Sequence, residues 1–299
     1  MHEKPNLSLV IPVYNEEGSL PELYRQLNAV LVDQSYEIIF VDDGSSDNSL
    51  KLIEELAQKD NKVKSISFSR NFGHMVALCA GLEHAQGEAV ITLDADLQHP
   101  IQLIPELIKQ WQAGAQVVNT VRKDEQGISI IKKVFTLIFY WLMNKIGGIN
   151  LQANAADFRL LDKQVVVTLN AVKEKSKFLR GLISWVGYRQ VSVPYQAEKR
   201  YAGKTKYSFG RMFSFALDGI TSFSSFPLRM AAYLGLLIAL FSFLYIIYAL
   251  YIRFFTSQAI AGWTSVLVAV LFIGGVQLVF LGIIGEYLGR VFEETKQRP

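Results

Sequence analysis

Short apolar runs alternate with longer amphipathic segments from Leu7 to Val121. Runs such as "LSLVIPV" and "YEIIFVD" have the length and the β-branched content of buried strands. The segments between them, such as "LPELYRQLNAVL" and "SLKLIEELAQK", carry apolar residues at helical spacing. This alternation predicts an α/β fold, with a mainly parallel sheet and helices on both of its faces.

A polar cluster follows each of the first four predicted strands. In chain order the clusters read "YNEEGS", "DDGSSDNS", "SRNFGH" and "DADLQH". Ligands of mainly parallel sheets bind beyond the carboxyl ends of the strands. The four clusters are therefore predicted to meet at one edge of the sheet and to form a site there.

The fourth cluster contains two carboxylates, Asp94 and Asp96, at the end of an apolar run. Residues i and i+2 of a strand point the same way, so both carboxylates are predicted on one face of the strand end. Two like charges this close raise a pKa unless a cation lies between them. A simpler alternative is that one aspartate only caps the following helix.

Two long apolar stretches lie in the last quarter of the chain. No charged residue occurs from Met230 to Ile252, and none occurs between Arg253 and Glu286. A helix needs about 20 apolar residues to cross the hydrocarbon core of a membrane. The pattern predicts two transmembrane helices, at about 230–252 and 263–285, within a segment 230–299 that ends in a short tail.

The basic residues around these stretches predict their orientation. Five lie on the outer sides of the predicted hairpin, and only Arg253 lies in its turn. The five are Arg211, Arg229, Arg290, Lys296 and Arg298. Because basic residues favour the cytoplasmic side, both termini of a multi-pass protein in the inner or plasma membrane are predicted to be cytoplasmic.

Two segments between the sheet and the hairpin are also apolar. Residues 131–149 carry lysines at both ends of an apolar stretch too short to span, which predicts an amphipathic helix in the membrane interface. A core helix under a lid is the alternative. The aromatic-rich segment 206–229 is predicted to lie on the membrane before the first span.

Composition narrows the classes of function. The 299 residues are 51% hydrophobic and carry a net charge of +3, which is too small to indicate a nucleic-acid partner but suits an anionic membrane surface. Cys79 is the single cysteine, so no internal disulfide is possible. The N-terminus does not have the pattern of a signal peptide. The first strand is not followed by G-x-G-x-x-G, and the four histidines lack zinc-ligand spacing.

Six motifs together resemble the family 2 glycosyltransferases of GT-A fold, closest to the dolichyl-phosphate mannose synthase-like and bacterial polyisoprenyl-phosphate glucosyltransferases. They run in order from Val10 to Ser208 and read "VIPVYNEEGSL", "IIFVDDGSSDNS", "SRNFGH", "LDADLQHP", "DFRLLD" and "RYAGKTKYS". The C-terminal hairpin matches the bacterial branch. The resemblance implies that residues 1–205 form a Rossmann-like GT-A catalytic domain on the cytoplasmic side.

The resemblance also implies roles for individual residues. It places a nucleotide-sugar donor on residues Pro12, Tyr14, Glu16 and Asp42, with Asp42 accepting hydrogen bonds from the base. Asp94, Asp96 and Gln98 would hold Mg²⁺ or Mn²⁺ on the donor diphosphate. Asp157 matches the catalytic carboxylate of the family, as a base or as a steering charge; pairing with Arg159 is the structural alternative. The cations expected on donor or lipid phosphates are Arg122, Arg200 and Lys204.

The expected activity is an inverting, metal-dependent transfer of one hexose, glucose from UDP-glucose, onto undecaprenyl phosphate. The Q-x-x-R-W signature of processive synthases is absent, which favours a single transfer. A GDP-mannose or UDP-amino-sugar donor is the enzymatic alternative. A non-catalytic membrane adaptor is the alternative from another class.

The second predicted span also indicates an assembly. It holds Gln277 among apolar residues, together with several glycines. An amide at membrane depth is costly without a partner, and small residues let helices approach closely. A homo-oligomer is therefore expected, although Gln277 could instead bond within its own chain.

Overall fold

A seven-stranded sheet and its helices form one unit of the computed structural model, and two long C-terminal helices form the other. The structure describes residues 5–122, 155–174, 178–196, 224–255 and 262–296. The predicted interfacial helix at 131–149, most of the segment 206–229, and both Arg200 and Lys204 lie outside these residues.

The sheet is mixed but mostly parallel. Its strands are β1 (Leu7–Val13), β2 (Tyr36–Asp42), β3 (Val63–Ser67), β4 (Ala89–Thr92), β5 (Val117–Arg122), β6 (Ala155–Asp162) and β7 (Gln190–Tyr195). They lie in the order β3-β2-β1-β4-β6-β5-β7. Only β6 among them runs antiparallel to its neighbours, β4 and β5. The predicted α/β class with a mainly parallel sheet is confirmed.

Helices cover both faces of the sheet. They are α1 (Leu20–Val30), α2 (Ser49–Lys59), α3 (His74–His84), α4 (Ile104–Gln112), α5 (Lys163–Ala171) and α6 (Leu179–Trp185), and a 3₁₀ turn (Ile101–Leu103) precedes α4. Every residue of β1 and of β2 is buried. Strands covered on both faces read as continuous apolar runs, which explains the uninterrupted "LSLVIPV".

The helix α3 packs very closely against β1. A Cβ added at Gly81 of α3 would lie 2.2 Å from Cγ1 of Val10. The opposite face of β1 contributes Leu9 and Ile11 to the core that also contains Leu23 of α1. Glycine at position 81 therefore sets the depth at which α3 lies on the sheet, and with it the position of His74 at the start of that helix.

Two parts of the predicted sheet need correction. The predicted strand through Asp96 ends at Thr92, and Asp94 and Asp96 lie in the turn that follows. The motif "DFRLLD" is part of β6, a strand that the hydrophobic pattern did not predict. Charged residues within β6 interrupt its apolar pattern. Asp157 and Arg159 are buried through their contact with each other and through Arg180, which comes from another part of the chain.

The second unit contains α7 (Phe226–Phe255) and α8 (Trp263–Thr295). The described residues hold two helices long and apolar enough to cross a membrane, with the apolar windows at Phe226–Tyr245 and Phe272–Thr295. Both helices extend beyond the predicted spans, α7 at both ends and α8 at its C-terminal end. Phe241 of α7 and Phe272 of α8 line a shared cleft, so the two helices form a hairpin.

Candidate active site at the carboxyl edge of the sheet

The turn after β4 presents the two carboxylates of the D-x-D motif. Asp94, Asp96 and Gln98 are half-buried, whereas the residues between them are buried. The Asp96 Oδ1 atom accepts a hydrogen bond from the backbone N–H of Gln98 at 3.1 Å. Leu97 has a φ of +59°, which closes this turn. Alternating burial thus keeps the predicted metal ligands on one side of the loop, although the loop is not a strand.

Two imidazoles hold the carboxylate of Asp94. The Nε2 atom of His74 lies 2.7 Å from Asp94 Oδ1, and the Nε2 atom of His99 lies 3.0 Å from Oδ2. The other ring nitrogen of His99, Nδ1, lies 3.2 Å from the hydroxyl of Tyr195. Burial alone would raise the pKa of Asp94, but both imidazoles outweigh it and hold that pKa below its ordinary value. The first carboxylate of the motif is therefore anionic and fixed in orientation.

The antiparallel strand β6 brings Asp157 to the same edge. Because β6 runs opposite to β4, its N-terminal part lies beside the C-terminal end of β4, where Thr92 pairs with Arg159. The hydroxyl of Thr92 also donates a hydrogen bond to the backbone oxygen of Asp157. The electrostatic influence of Asp94 on Asp157 places the two carboxylates in one cluster.

Asp157 is clamped between two arginines. Arg180 donates from Nε to Oδ1 at 2.9 Å and from Nη2 to Oδ2 at 2.8 Å, and Arg159 donates from Nη2 to Oδ1 at 3.0 Å. Burial would raise the pKa of Asp157, but the two guanidiniums outweigh it and lower that pKa. The pair predicted between Asp157 and Arg159 exists, and Arg180 joins it as a third member.

The loops after β1 and β2 are tied to each other. Asn15, at a φ of +57°, accepts a hydrogen bond from the backbone N–H of Ser46 at 2.8 Å, and its own N–H donates to Ser45 Oγ. Asp42 is buried and accepts a hydrogen bond from the N–H of Ser45 at 3.2 Å. Tyr14 is exposed beside this junction. The two loops therefore form one surface beyond the ends of β1 and β2.

Three of the residues predicted to bind the nucleotide-sugar donor differ in their exposure at this surface. Pro12 lies within β1, buried, and pairs with Val41 of β2. Glu16 is half-buried and accepts a hydrogen bond from Ser19 Oγ at 2.9 Å. Of Pro12, Tyr14 and Glu16, only Tyr14 is exposed, with 39% of its surface accessible.

The second aspartate of "VDD" fixes the loop after β3. Asp43 is buried, and its carboxylate accepts hydrogen bonds from the backbone N–H groups of Phe72 and Gly73 at 2.7 and 3.0 Å. Gly44 has a φ of +69°, and a Cβ at that position would lie 2.5 Å from the backbone carbon of Arg70. The two loops thus meet backbone to backbone, and this contact positions the start of α3.

Arg122 lies at the end of β5, where it pairs in register with Tyr195 of β7. Arg122 and both carboxylates of the D-x-D motif act electrostatically on the Tyr195 hydroxyl, whose pKa is raised mainly by burial. The described part of the site therefore joins residues from β4, β5, β6, β7, α3 and α6 at one edge of the sheet.

Sequence reasoning missed four residues of this cluster: His74, His99, Arg180 and Tyr195. The two histidines lie inside the motifs "SRNFGH" and "LDADLQHP", and their spacing alone indicates only that they do not form a zinc site. Their place in the polar clusters that follow β3 and β4 is the signal that locates them near the site. Arg180 and Tyr195 carried no such signal, because each lies in a segment not assigned to a strand end.

Comparison with protein families identifies the chain. Residues 8–168 match the family described as glycosyl transferase family 2, and residues 226–291 match the GtrB C-terminal hairpin. The first match covers nearly all of the segment from β1 to β6 and ends within α5, and the second covers α7 and most of α8. The chain belongs to glycosyltransferase family 2. The enzyme is a transferase, and its C-terminal hairpin associates it with a membrane.

Several relatives match this chain over almost its full length. A bactoprenol glucosyl transferase of Shigella phage SfV is 43% identical over 98% of this chain and 96% of its own. The prophage bactoprenol glucosyl transferase homolog of Escherichia coli is 42% identical over the same shares. An uncharacterized glycosyltransferase of Bacillus subtilis, YkcC, is 44% identical over 98% of this chain and 91% of its own.

A solved structure supports the fold. S. aureus TarS 1–349, in complex with UDP-GlcNAc, matches with a TM-score of 0.50 at 18% identity and covers 73% of this chain. The chain covers 66% of that protein. The GT-A fold expected from the motifs is confirmed.

Proposed function

We propose that this enzyme transfers one glucose from UDP-glucose to undecaprenyl phosphate, with inversion, at the cytoplasmic face of the membrane. The observation that carries the proposal is the convergence of Asp94, Asp96 and Asp157 at the carboxyl edge of the sheet. Full-length similarity to bactoprenol glucosyl transferases supports the lipid acceptor and the glucosyl group. Intact carboxylates argue against the alternative of a non-catalytic adaptor.

The D-x-D loop suits a hard divalent cation. No group of three His, Cys, Asp or Glu side chains is placed to enclose a metal within the described residues. The protein would therefore supply Asp94, Asp96 and Gln98, and the donor diphosphate and water would complete the coordination. This division of ligands is typical of Mg²⁺ and also suits Mn²⁺. The bound cation would neutralise the charge that develops on the departing nucleoside diphosphate.

The donor nucleoside is assigned to the surface made by the β1 and β2 loops. Tyr14 is exposed there and offers a ring face for the base. Asp42 is nearly inaccessible and engages the N–H of Ser45, so contact with the base requires this loop to shift. Pro12 and Glu16 shape the same loop from beneath.

The acceptor needs little help to become a nucleophile. A phosphate monoester has a second pKa near 6, so it is largely dianionic at neutral pH. Its oxygen can displace the nucleoside diphosphate directly, and a single displacement inverts the anomeric centre. Arg122, at the end of β5, is our candidate for contact with a phosphate. Arg200 and Lys204, which lie outside the described residues, remain sequence-based candidates for the same role.

The membrane arrangement follows from the hairpin. We assign α7 and α8 as two spans of a multi-pass protein with both termini in the cytoplasm, because basic residues flank the outer ends of the pair. A cytoplasmic catalytic domain meets both a soluble nucleotide sugar and a lipid phosphate headgroup. This placement is what the proposed reaction requires.

We also propose that the spans associate between copies. Cβ atoms added at Gly275, Gly282 or Gly289 would meet nothing within 4 Å in this chain. At about 100° per residue these glycines lie on one side of α8, away from Ile273, which lines the cleft with α7. A glycine surface on the far side of the hairpin suits close approach by a second copy. Gln277 is exposed in the single chain on a different side of α8 from these glycines, so it would need a contact of its own in the assembly.

A panel of donors tests the assignment of the sugar. Purified protein is supplied with undecaprenyl phosphate, Mg²⁺ or Mn²⁺, and one labelled donor at a time: UDP-glucose, GDP-mannose or a UDP-amino-sugar. We expect lipid-linked product from UDP-glucose at a kcat/KM well above that of the others. Product from another donor alone would show that the glucose assignment is wrong while leaving the reaction class in place.

A further inference from the structure

Asp157 and its two arginines form an unequal triad. Both guanidiniums donate to the carboxylate, but they differ in exposure: the side chain of Arg159 is 4% accessible and that of Arg180 is 32% accessible. Arg159 also donates to the backbone oxygen of Ala156 at 2.8 Å. Arg159 is thus built into the interior, whereas Arg180 reaches the surface at the edge of the sheet.

The contact with Arg180 fixes the plane of its guanidinium. Nε and Nη2 donate to the two different oxygens of Asp157, at 2.9 and 2.8 Å, which is the bidentate geometry of an arginine–carboxylate pair. A guanidinium has five N–H donors in a rigid fork. Pairing through one edge therefore orients the whole group and removes much of the rotamer freedom that an exposed arginine would lose on binding.

The triad carries surplus positive charge beside an acidic loop. One carboxylate and two guanidiniums sum to +1, and Arg180 acts electrostatically on both His74 and Tyr195. His74 contacts Asp94 of the D-x-D cluster directly, and Tyr195 contacts His99, the second imidazole that holds Asp94. The guanidinium of Arg180 is partly exposed, fixed in orientation and next to the loop that is the candidate metal site. It is therefore placed to contact an anionic group bound between the guanidinium and that loop.

We propose that Arg180 binds a phosphate group of a substrate, and that Asp157 is a positioning residue that holds its guanidinium rather than a proton acceptor. This inference rests on the proposed function, because it assigns the ligand of the same site. Planar, bidentate recognition of phosphate is the chemistry to which arginine is best suited. The phosphate belongs either to the nucleotide-sugar donor or to the lipid acceptor.

The surroundings of Asp157 fit a positioning role. Its carboxylate already accepts three N–H donors, and its lowered pKa makes it a weak base. The phosphate nucleophile, being largely dianionic at neutral pH, does not need deprotonation. The buried charge of Arg159 then offsets the cost of burying Asp157, which leaves Arg180 to face the ligand.

The test compares Arg180→Gln, Arg180→Lys, Asp157→Asn and the double variant Asp157→Asn/Arg180→Gln in the full-length protein. Donor affinity is measured as the Kd of UDP by calorimetry, and acceptor affinity as the KM for undecaprenyl phosphate at saturating UDP-glucose. Arg25→Gln removes a surface arginine of an exposed ion pair and serves as the control. Circular dichroism confirms that each variant is folded.

We expect Arg180→Gln to weaken one of the two constants about 10- to 100-fold, the loss for a hydrogen bond to a charged group. A weaker Kd of UDP assigns the donor phosphate, and a higher acceptor KM assigns the lipid phosphate. Arg180→Lys should recover part of the loss because it keeps the charge. Asp157→Asn should weaken the same constant, and the double variant should be no worse than the poorer single variant.

Two results would overturn the proposal. One is unchanged affinity for both substrates in folded Arg180→Gln. The other is an Asp157→Asn enzyme whose kcat alone falls and whose pH–rate profile loses its acidic limb, while Arg180→Gln keeps that limb, because Asp157 would then accept the proton. If wild type transfers no hexose from any donor, the proposed function fails instead, and calorimetric Kd values for UDP and for undecaprenyl phosphate still test Arg180.

Discussion

The carboxylates of this site differ in what holds them, and the difference sets what each can do. Asp94 is held by two imidazoles and Asp157 by two guanidiniums, whereas Asp96 receives a backbone N–H from its own loop. The bidentate guanidinium contact is a strong one, and it leaves Asp157 less available to another ligand. The D-x-D pair is thus suited to a cation, and Asp157 is suited to holding Arg180.

Replacement of the D-x-D carboxylates should abolish metal-dependent turnover. Asp94→Asn and Asp96→Asn each keep the side-chain shape but remove a charge, and we expect kcat to fall about 10²- to 10³-fold in each, as for other losses of preorganised electrostatic stabilisation. Initial rates over a Mn²⁺ titration measure this, with unchanged circular dichroism as the control. Full activity in both variants would rule out the metal site.

The stabilisation supplied by Asp157 should depend on pH. Its folded pKa lies below the ordinary value of 3.8, so the ionised triad stabilises the fold above that pH, and the stabilisation disappears as pH falls through the folded pKa. Asp157→Asn should lower stability at neutral pH by about 3–5 kcal/mol, as for a broken buried ion pair. Thermal unfolding is measured for wild type and Asp157→Asn from pH 7 to acidic pH. The difference in Tm between the two proteins should become smaller below about pH 4. A difference that stays constant over this range would contradict the account.

The strands and helices that hold the site were predicted unevenly from sequence. The segments β1 to α3 repeat a simple apolar pattern because both faces of β1 and β2 are covered, so they could be placed almost to the residue. The strand β6 could not, because Asp157 and Arg159 interrupt its apolar pattern, and the burial of Asp157 is stabilised by Arg180, 23 residues further along the chain. The surroundings of Asp94 could be predicted only in part, because the D-x-D motif is local, whereas His74 comes from the start of α3 and Tyr195, which contacts His99, comes from β7.

The contact between the β2 and β3 loops should depend on glycine at position 44. A side chain there would meet backbone at 2.5 Å and would need a positive φ, so Gly44→Ala should destabilise the protein by about 1–3 kcal/mol. Gly18→Ala, where an added Cβ meets nothing within 4 Å, is the matched control. Thermal unfolding of both variants checks this, and equal Tm values would show that the loop contact is not tight.

The molecule combines an α/β unit that carries the candidate active site with the C-terminal hairpin of α7 and α8. We expect the hairpin to mediate assembly between copies. We expect light scattering in mild detergent to give a mass of more than one protomer. Gly282→Leu should shift the enzyme towards monomer because it fills the glycine surface of α8. Leu288→Phe should not, because Leu288 is exposed and lies about 120° around that helix from Gly282. An active wild-type enzyme that is strictly monomeric would exclude the assembly.

The product of the reaction tests the account most directly. Purified enzyme is incubated with UDP-[¹³C]glucose, undecaprenyl phosphate and Mg²⁺, and the lipid fraction is analysed by mass spectrometry and NMR. The account predicts undecaprenyl phosphate that carries a single glucose in the β configuration, opposite to that of the donor, and no such product from Asp96→Asn. A retained α linkage, a chain of several sugars, or free glucose without lipid-linked product would contradict it.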